Sequence, residues 1–210
     1  HCPDVKKYSY NPKLALQMLL ADGFNVGADG GLLDNEGNRV SFSLLVSDNS
    51  KSSLANATCI VENLKAIGIE VKLVFLDFSA IVSKIDDTLD YEAAMIGFTG
   101  GGDPSGGKAI YRSDGFLHVW NPRQKTPATD WERRVDEIVD NQETILNEPE
   151  RILKIHEMQK IFAEELPLIF LTSPMTYSGI KTKWRNVKVP PIGMLIWNIE
   201  ELFEGEGGDG

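Results

Sequence analysis

VSFSLLVSDNSKSSLANATCIVENLKAIGIEVKLVF, residues 40–75, decides the fold class. Val40, Phe42, Leu44 and Val46 alternate with Ser41, Ser43 and Leu45, the period-two pattern of a strand. Ser50, Ser52 or Ser53 can cap a helix whose apolar positions Leu54, Ala57, Val61 and Leu64 follow at helical spacing. Gly68 stands where a C′ glycine would close that helix. Ile69, Val71, Leu73 and Phe75 then alternate with Glu70, Lys72 and Val74 as a second strand. Strand, helix and strand within about 36 residues make a crossover unit, so the two strands are expected to run parallel in an α/β fold.

Upstream, Asn11-Pro12 reads as a cap with proline at the first helical position, opening a short helix through Ala15, Met18, Leu19 and Ala21 that stops at Gly23. Residues 25–39 are turn-rich, with Asp29-Gly30 and Glu36-Gly37 as breakers. Downstream, a weaker helix is expected over Ser79–Ile85 and a third strand over Ala93–Phe98. That strand empties into a loop with six glycines between Gly97 and Gly107. A strand ending in a backbone-exposing loop is how α/β proteins build ligand sites, which makes this loop the first candidate for function.

The second half is more helical. Thr129 with Glu132 forms a capping box after Pro127, and Trp131, Val135, Ile138, Val139, Gln142 and Ile145 mark one buried face. Asn147 with Glu150 opens a further helix, with Pro149 in its first turn and a stripe of Ile152, Ile155, Met158, Gln159, Phe162 and Leu166. Pro167–Leu171 and Met175–Ile180 read as a final pair of strands. Residues 184–199 wander through Pro190, Pro191 and Gly193, and the terminal GEGGDG reads as disordered.

The totals exclude several classes. The net charge is −10 and the 21 basic residues form no stripe, which argues against nucleic acid and anionic membrane as partners. No run of about 18 apolar residues exists, so no stretch is expected to cross a bilayer as a helix. Cys2 is expected in a frayed terminus and Cys59 among apolar helix residues, and nothing in their positions supports a disulfide. The N-terminal HCPDVKKYSYNP reads like the middle of something longer.

Catalytic and metal motifs are weak. Gly102-Asp103-Pro104-Ser105-Gly106-Gly107-Lys108 approaches a phosphate-binding loop, but Ala109 stands where Ser or Thr must hold magnesium, and Gly115 and Pro122 interrupt the helix that should follow. His1, His118 and His156 lack metal spacing, and neither cysteine has a CxxC partner, so no metal or cofactor is expected. His156 reads as a solvated or partly packed helix residue, whereas His118 lies near the loop and is a candidate ligand contact. Ser105 is not in a GxSxG elbow. Asp103 can meet a cationic group of a ligand or serve as a turn former, and Tyr111, Phe116 and Trp120 can face a ligand or the core. The sequence names no nucleophile and no acid–base pair, so the chain is not expected to be an enzyme.

Taken in order, several motifs resemble the carboxyl-terminal lobe of family 5 extracellular solute-binding proteins, the dipeptide/oligopeptide-binding group that feeds ABC importers. Tyr10-Asn11-Pro12-Lys13-Leu14-Ala15 followed by Gly23-Phe24 is similar to the family's Y-D-P-x-x-A…GF helix, and Asn63 through Val71 to its L-x-x-I-G-I-x-V turn. Gly97-Phe98-Thr99-Gly100 with Asp103-Pro104 resembles the strand and DP loop that lines the peptide cleft. Arg151 through Pro167 resembles the family's R-x7-Q-x7-P helix, and His118-Val119-Trp120-Asn121-Pro122 with Thr126 through Glu132 one subgroup of it. The likeness runs from about residue 8 to residue 203.

The resemblance implies a mixed sheet flanked by helices in a type II periplasmic-binding-protein lobe over residues 10–183. Residues 1–9 would lead in from another lobe, 184–203 would return toward it, and 204–210 would be a disordered tail. It implies capture of peptides in an interlobe cleft for delivery to permease subunits, in a monomer that is periplasmic or extracellular and can carry a lipid anchor. Phe98, Thr99, Gly100, Gly101, Gly102, Asp103, Pro104, His118 and Trp120 would contact ligand, and this chain alone, with half of the cleft, would bind weakly. Relatives that grip a peptide's amino terminus often carry an acidic residue just before the DP loop, where this sequence has glycine. A nickel complex, haem or oligosaccharide is therefore an alternative ligand. A hydrolase using Asp103, Ser105 and His118, or a pure interaction domain, is a further alternative.

Overall fold

The computed structural model of the chain describes residues 2–98, 103–173, 175, 177–190 and 196–205. Its centre is the crossover unit read from residues 40–75. β3 (Ser41–Ser47) and β4 (Glu70–Leu76) pair in parallel, with Ser41 opposite Glu70 and Ser47 opposite Leu76, and α2 (Lys51–Lys65) connects them. Ser50 is the cap of α2, its side chain accepting from the Ser53 amide at 3.2 Å. β5 (Ala93–Ala94) pairs in parallel with the other side of β3, giving the order β4-β3-β5.

Both faces of this sheet are covered, as parallel sheets require. Leu44, Val46 and Val71 pack with Ala57 of α2 on one face. Leu45, in the phase that alternation assigned to the polar side, is instead 3% exposed because Ile81 and Ile85 cover the opposite face. Ile81 belongs to α3 (Phe78–Ser83), capped by Asp77, and Ile85 to the π-helical turn Lys84–Thr88 that continues it. The expected helix Ser79–Ile85 is therefore two elements. The expected strand Ala93–Phe98 keeps ladder pairing only at its start, Ala93–Ala94 opposite Leu44–Leu45, and the Met95 amide still reaches the Leu45 carbonyl at 2.9 Å.

α1 (Pro12–Ala21) is capped by Asn11, as its sequence requires, and precedes a small ribbon of β1 (Asn25–Val26) and β2 (Leu32–Leu33). This ribbon explains Gly68. The cap of α2 is Ala66, so Gly68 falls one residue later than C′. It has φ +84, and a Cβ there would lie 2.6 Å from the Leu32 nitrogen and 2.7 Å from the Gly30 oxygen. Only glycine lets the ribbon approach this closely, and the Leu32 amide donates to the Gly68 carbonyl at 2.8 Å.

A second core lies between α5 (Asp130–Gln142) and α6 (Glu148–Glu165). Val135, Ile138 and Val139 meet Met158 and Phe162. The capping box of Thr129 and Glu132 forms as read, and Asn147 caps α6. The α6 stripe is narrower than its sequence suggests, since Ile152 and Leu166 are each 43% exposed. The final pair of strands does not form. Pro167–Leu171 and the described part of 175–180 carry no strand pairing, and Ile169, Phe170, Met175 and Tyr177 are exposed. The antiparallel pair near the C-terminus is instead β6 (Trp184–Arg185) with β7 (Phe203–Glu204). The fold class is α/β, with parallel pairing in the central sheet and antiparallel pairing in the two ribbons.

The cysteines reverse their expected places. Cys2 is 1% exposed, its amide donating to the Gln159 side chain at 2.7 Å, while Cys59 is exposed on α2; both are free. Residues 2–8 are held along α6 by that bond, by Lys6 on Glu164 at 2.9 Å and by the Tyr8 hydroxyl on the Ala163 carbonyl at 2.9 Å. Those three anchors are what a sequence pattern of so few apolar residues does not reveal.

Candidate functional site

The chain leaves β5 at the carboxyl end of the parallel sheet. Met95 packs toward the α2 face and Ile96 toward the α3 face, so the extended run still alternates between the two cores. Gly97 and Phe98 are exposed. β5 is an edge strand, and among the described residues nothing pairs with its outer side. Thr99, Gly100, Gly101 and Gly102, expected as ligand contacts, lie outside the described residues.

The chain is described again at Asp103, which opens the 3-10 turn Pro104–Gly107 leading into α4 (Lys108–Tyr111). Asp103 settles as a turn former: its carboxylate accepts from the Ser105 amide at 2.8 Å and from the Ser105 hydroxyl. It also takes a bidentate pair from Arg151 of α6, at 2.8 Å from Nη1 and 2.7 Å from Nη2. Arg151, followed by Ser105, holds this carboxyl well below the usual carboxylate range. The charge expected to greet a ligand's cation is thus already matched by an arginine. Sequence reasoning missed this partner; the signal available was a cation in the first turn of a helix, where the macrodipole disfavours it.

Lys108 does not face the turn in the manner of a phosphate-binding lysine. Its ammonium lies 3.3 Å from Asp140 and 3.8 Å from Glu143, docking α4 on α5. Arg112 binds Asp114 at 2.6 Å and also Asp140, and these partners, Asp114 first, push its pKa up. Gly115 lets the chain turn back tightly, since a Cβ there would meet the Ala109 carbonyl oxygen at 2.2 Å, the same oxygen that accepts the Leu117 amide at 2.9 Å.

His118 departs from its expected role. It is 2% exposed, and its ring nitrogens lie 3.2 Å from the Ile110 carbonyl and 3.1 Å from the Gln124 side-chain oxygen. Its ring sits 3.8 Å from that of Trp120. Burial and two occupied nitrogens make it a support of the segment after α4 and remove it from ligand contact. Trp120 is half-buried; it lies edge-on to Phe162 at 5.5 Å, and its indole N–H reaches Glu132 at 3.4 Å. With both edges spent inside, Trp120 also belongs to the core. Of the side chains expected at the site, Phe98 is exposed and Pro104 half-exposed. The Ser105 hydroxyl donates to Asp103, whose carboxylate is also paired with Arg151, while His118 is buried on other partners.

Among the described residues no three His, Cys, Asp or Glu side chains converge on a possible metal position, and no helix is long and apolar enough to cross a membrane. A shallow hollow of about 400 Å³ lies between β3, β4 and the π-helical turn, lined by Ser43, Leu45, Val74, Lys84, Tyr91 and Glu92. Glu92 spans it, accepting from both the amide and the hydroxyl of Ser43 at 2.7 Å.

The family model described as bacterial extracellular solute-binding proteins, family 5, middle region, matches residues 2–115. The oligopeptide-binding protein AppA of Bacillus subtilis is 27% identical over 204 residues, 95% of this chain and 36% of that protein. Its structure in complex with a nonapeptide superposes with a TM-score of 0.72 at 26% identity, covering 97% of this chain and 39% of the other. NikZ from Campylobacter jejuni, in complex with Ni(L-His), gives a TM-score of 0.72 at 20% identity over 96% of this chain and 41% of NikZ. MelB of Agrobacterium fabrum, in complex with stachyose, gives 0.67 at 18% identity over 78% of this chain and 26% of MelB. The last two share the fold. The chain thus spans well under half the length of these relatives. It belongs to family 5 of the bacterial extracellular solute-binding proteins, a family of binding proteins.

Proposed function

We propose that this family 5 chain supplies the carboxyl-terminal lobe, residues 10–183, of the substrate-binding component of an ABC importer, and that its ligand is a peptide. The observation that carries the reading is the outer edge of β5, which has no strand partner among the described residues and runs into exposed Gly97 and Phe98. An unpaired edge offers alternating amides and carbonyls, so an extended peptide can add as a further strand while its side chains point away from the bonding line. The likeness to AppA, whose structure holds a nonapeptide, supports a peptide over a metal complex or a sugar. A protein with this role works outside the cytoplasmic membrane, free or lipid-anchored, and meets permease subunits as a monomer. A second lobe, toward which residues 184–203 return, closes over the ligand by a hinge motion.

Among the described residues the turn's polar groups are bound to one another and to Arg151, an arrangement that supports binding over hydrolysis. Native mass spectrometry of the full-length protein, purified gently from its own host, tests the reading. A ladder of excess masses matching short peptides is the expected result. A single non-peptide mass would replace the substrate, and an empty protein would overturn ligand carriage altogether.

A further inference from the structure

Arg151 joins the turn at Asp103, the end of α5 and the start of α6. Its Nη1 and Nη2 hold both oxygens of Asp103 at 2.8 and 2.7 Å, and its Nε donates to the Gln142 side-chain oxygen at 2.8 Å. Gln142 is 1% exposed at the end of α5, and its own amide nitrogen lies 3.5 Å from the Val139 carbonyl, so the far side of the guanidinium rests on a fixed point. Asp103 in turn organises the residues after it. Its side chain receives the Ser105 amide and its carbonyl receives the Gly106 amide at 3.2 Å. A planar fork gripping a carboxylate with two parallel bonds fixes orientation as well as distance, which a lysine's point charge does not.

The placement costs something locally. Arg151 stands in the first turn of α6, where Glu148 and Glu150 suit the helix dipole and a cation does not. The arginine nevertheless pairs with Asp103, 48 residues away. Resting on the reading that the edge of β5 takes ligand, we propose that Arg151 is a positioning residue of that site. It clamps the 103–107 turn, which follows β5 along the chain, against the α5–α6 core, and it neutralises the only carboxylate of that turn. Ligand recognition by the turn is then a matter of backbone and shape, and a peptide's amino group finds no free carboxylate in it.

The test uses the full-length protein and the variants Arg151→Ala, Arg151→Lys, Asp103→Asn and the double Asp103→Asn/Arg151→Ala. Hydrogen exchange without ligand reads the clamp alone. The Ser105 and Gly106 amides are expected to exchange about tenfold faster in Arg151→Ala, while amides of Val135–Val139 and Met158–Phe162 keep their protection. Arg151→Lys should restore less than half of that protection, and the double variant should be no worse than either single one. Unchanged exchange at 105–106, full rescue by lysine, or strictly additive effects would overturn the clamp. Titration of a synthetic nonapeptide reads the consequence: about tenfold weaker binding in Arg151→Ala, and equal affinity of the parent for the free and N-acetylated peptide. If exchange responds and the parent takes up no peptide, the clamp stands and the peptide reading falls. If the parent binds and Arg151→Ala binds equally well despite faster exchange, the positioning role is wrong.

Discussion

Replacing Glu132 by alanine separates a local reading of the chain from its tertiary structure. By sequence, Glu132 is the second half of a capping box, and removing such a partner costs about 1 kcal/mol. In the folded chain it is 4% exposed and does more. One oxygen accepts the Ala128 amide at 2.7 Å, the Thr129 amide at 3.0 Å and the Gln124 side chain at 3.1 Å, while the other faces the Trp120 indole at 3.4 Å. Alanine strands all four donors. Water can serve the amides of exposed Ala128 and Thr129, and the two half-buried side-chain donors that remain, at about 1–3 kcal/mol each, bring the loss to about 3–4 kcal/mol. Urea unfolding followed by tryptophan fluorescence reads this, since Trp120 and Trp131 report from the same region. With a slope of about 2–3 kcal/mol per molar, the midpoint should fall by roughly 1–2 M. Glu132→Gln, which keeps one acceptor but turns an amide toward the donors, should fall between alanine and the parent. A loss of about 1 kcal/mol or less for alanine would refute the four-donor account and leave only the helix cap.

Phe162→Ala removes the ring that Tyr111 meets edge-on at 5.2 Å and Trp120 at 5.5 Å, and should cost about 4 kcal/mol, lowering Tm by roughly 8–16 °C in a scanning calorimeter. Gly68→Ala combines a positive φ with a Cβ 2.6 Å from the Leu32 nitrogen, so a loss above about 2 kcal/mol is expected in the same urea assay; below 1, the close approach is wrong. A maleimide should label Cys59 rapidly and Cys2 only after unfolding, and equal rates by mass spectrometry would contradict the buried place of Cys2. Burial pushes the Glu132 carboxyl up, but its hydrogen bonds outweigh that and leave it below the usual 4.5. A depressed folded value means that stability is present above pH 4.5 and is lost as pH falls through the folded value, so a urea midpoint that rises on acidification from pH 5 to 3 would show the sign to be wrong.

Much of the candidate site was half legible. The DP turn and its strand could be found, because proline fixes φ and glycine frees the backbone for a turn, and Asp103 does form the turn that its type favours. Its partner could not be read off. Arg151 lies 48 residues on, and charge patterns along a chain say nothing about which opposite charges meet across it. His118 failed for a similar reason: proximity to a loop in sequence is no measure of burial, and the ring was drawn inside by Trp120, Gln124 and the Ile110 carbonyl. The third strand is shorter than the apolar run because such runs report burial, and Met95 and Ile96 are packed beyond the two residues, Ala93 and Ala94, that form the ladder.

The sequence by itself determined the elements whose causes are local. The caps Asn11, Thr129 and Asn147, a serine cap among residues 50–53, the parallel crossover of residues 40–75 and the α/β class follow from hydrogen bonds and periodicities that are local in the chain. Tertiary structure alone decided what those elements meet. It put Leu45 inside by covering a second face, held Cys2 on Gln159, left Pro167–Leu171 without strand pairing among the described residues, and matched Asp103 with Arg151. Such outcomes depend on which surfaces the chain's path brings within a few ångströms, and contact free energies between distant residues leave no period in the sequence to be read.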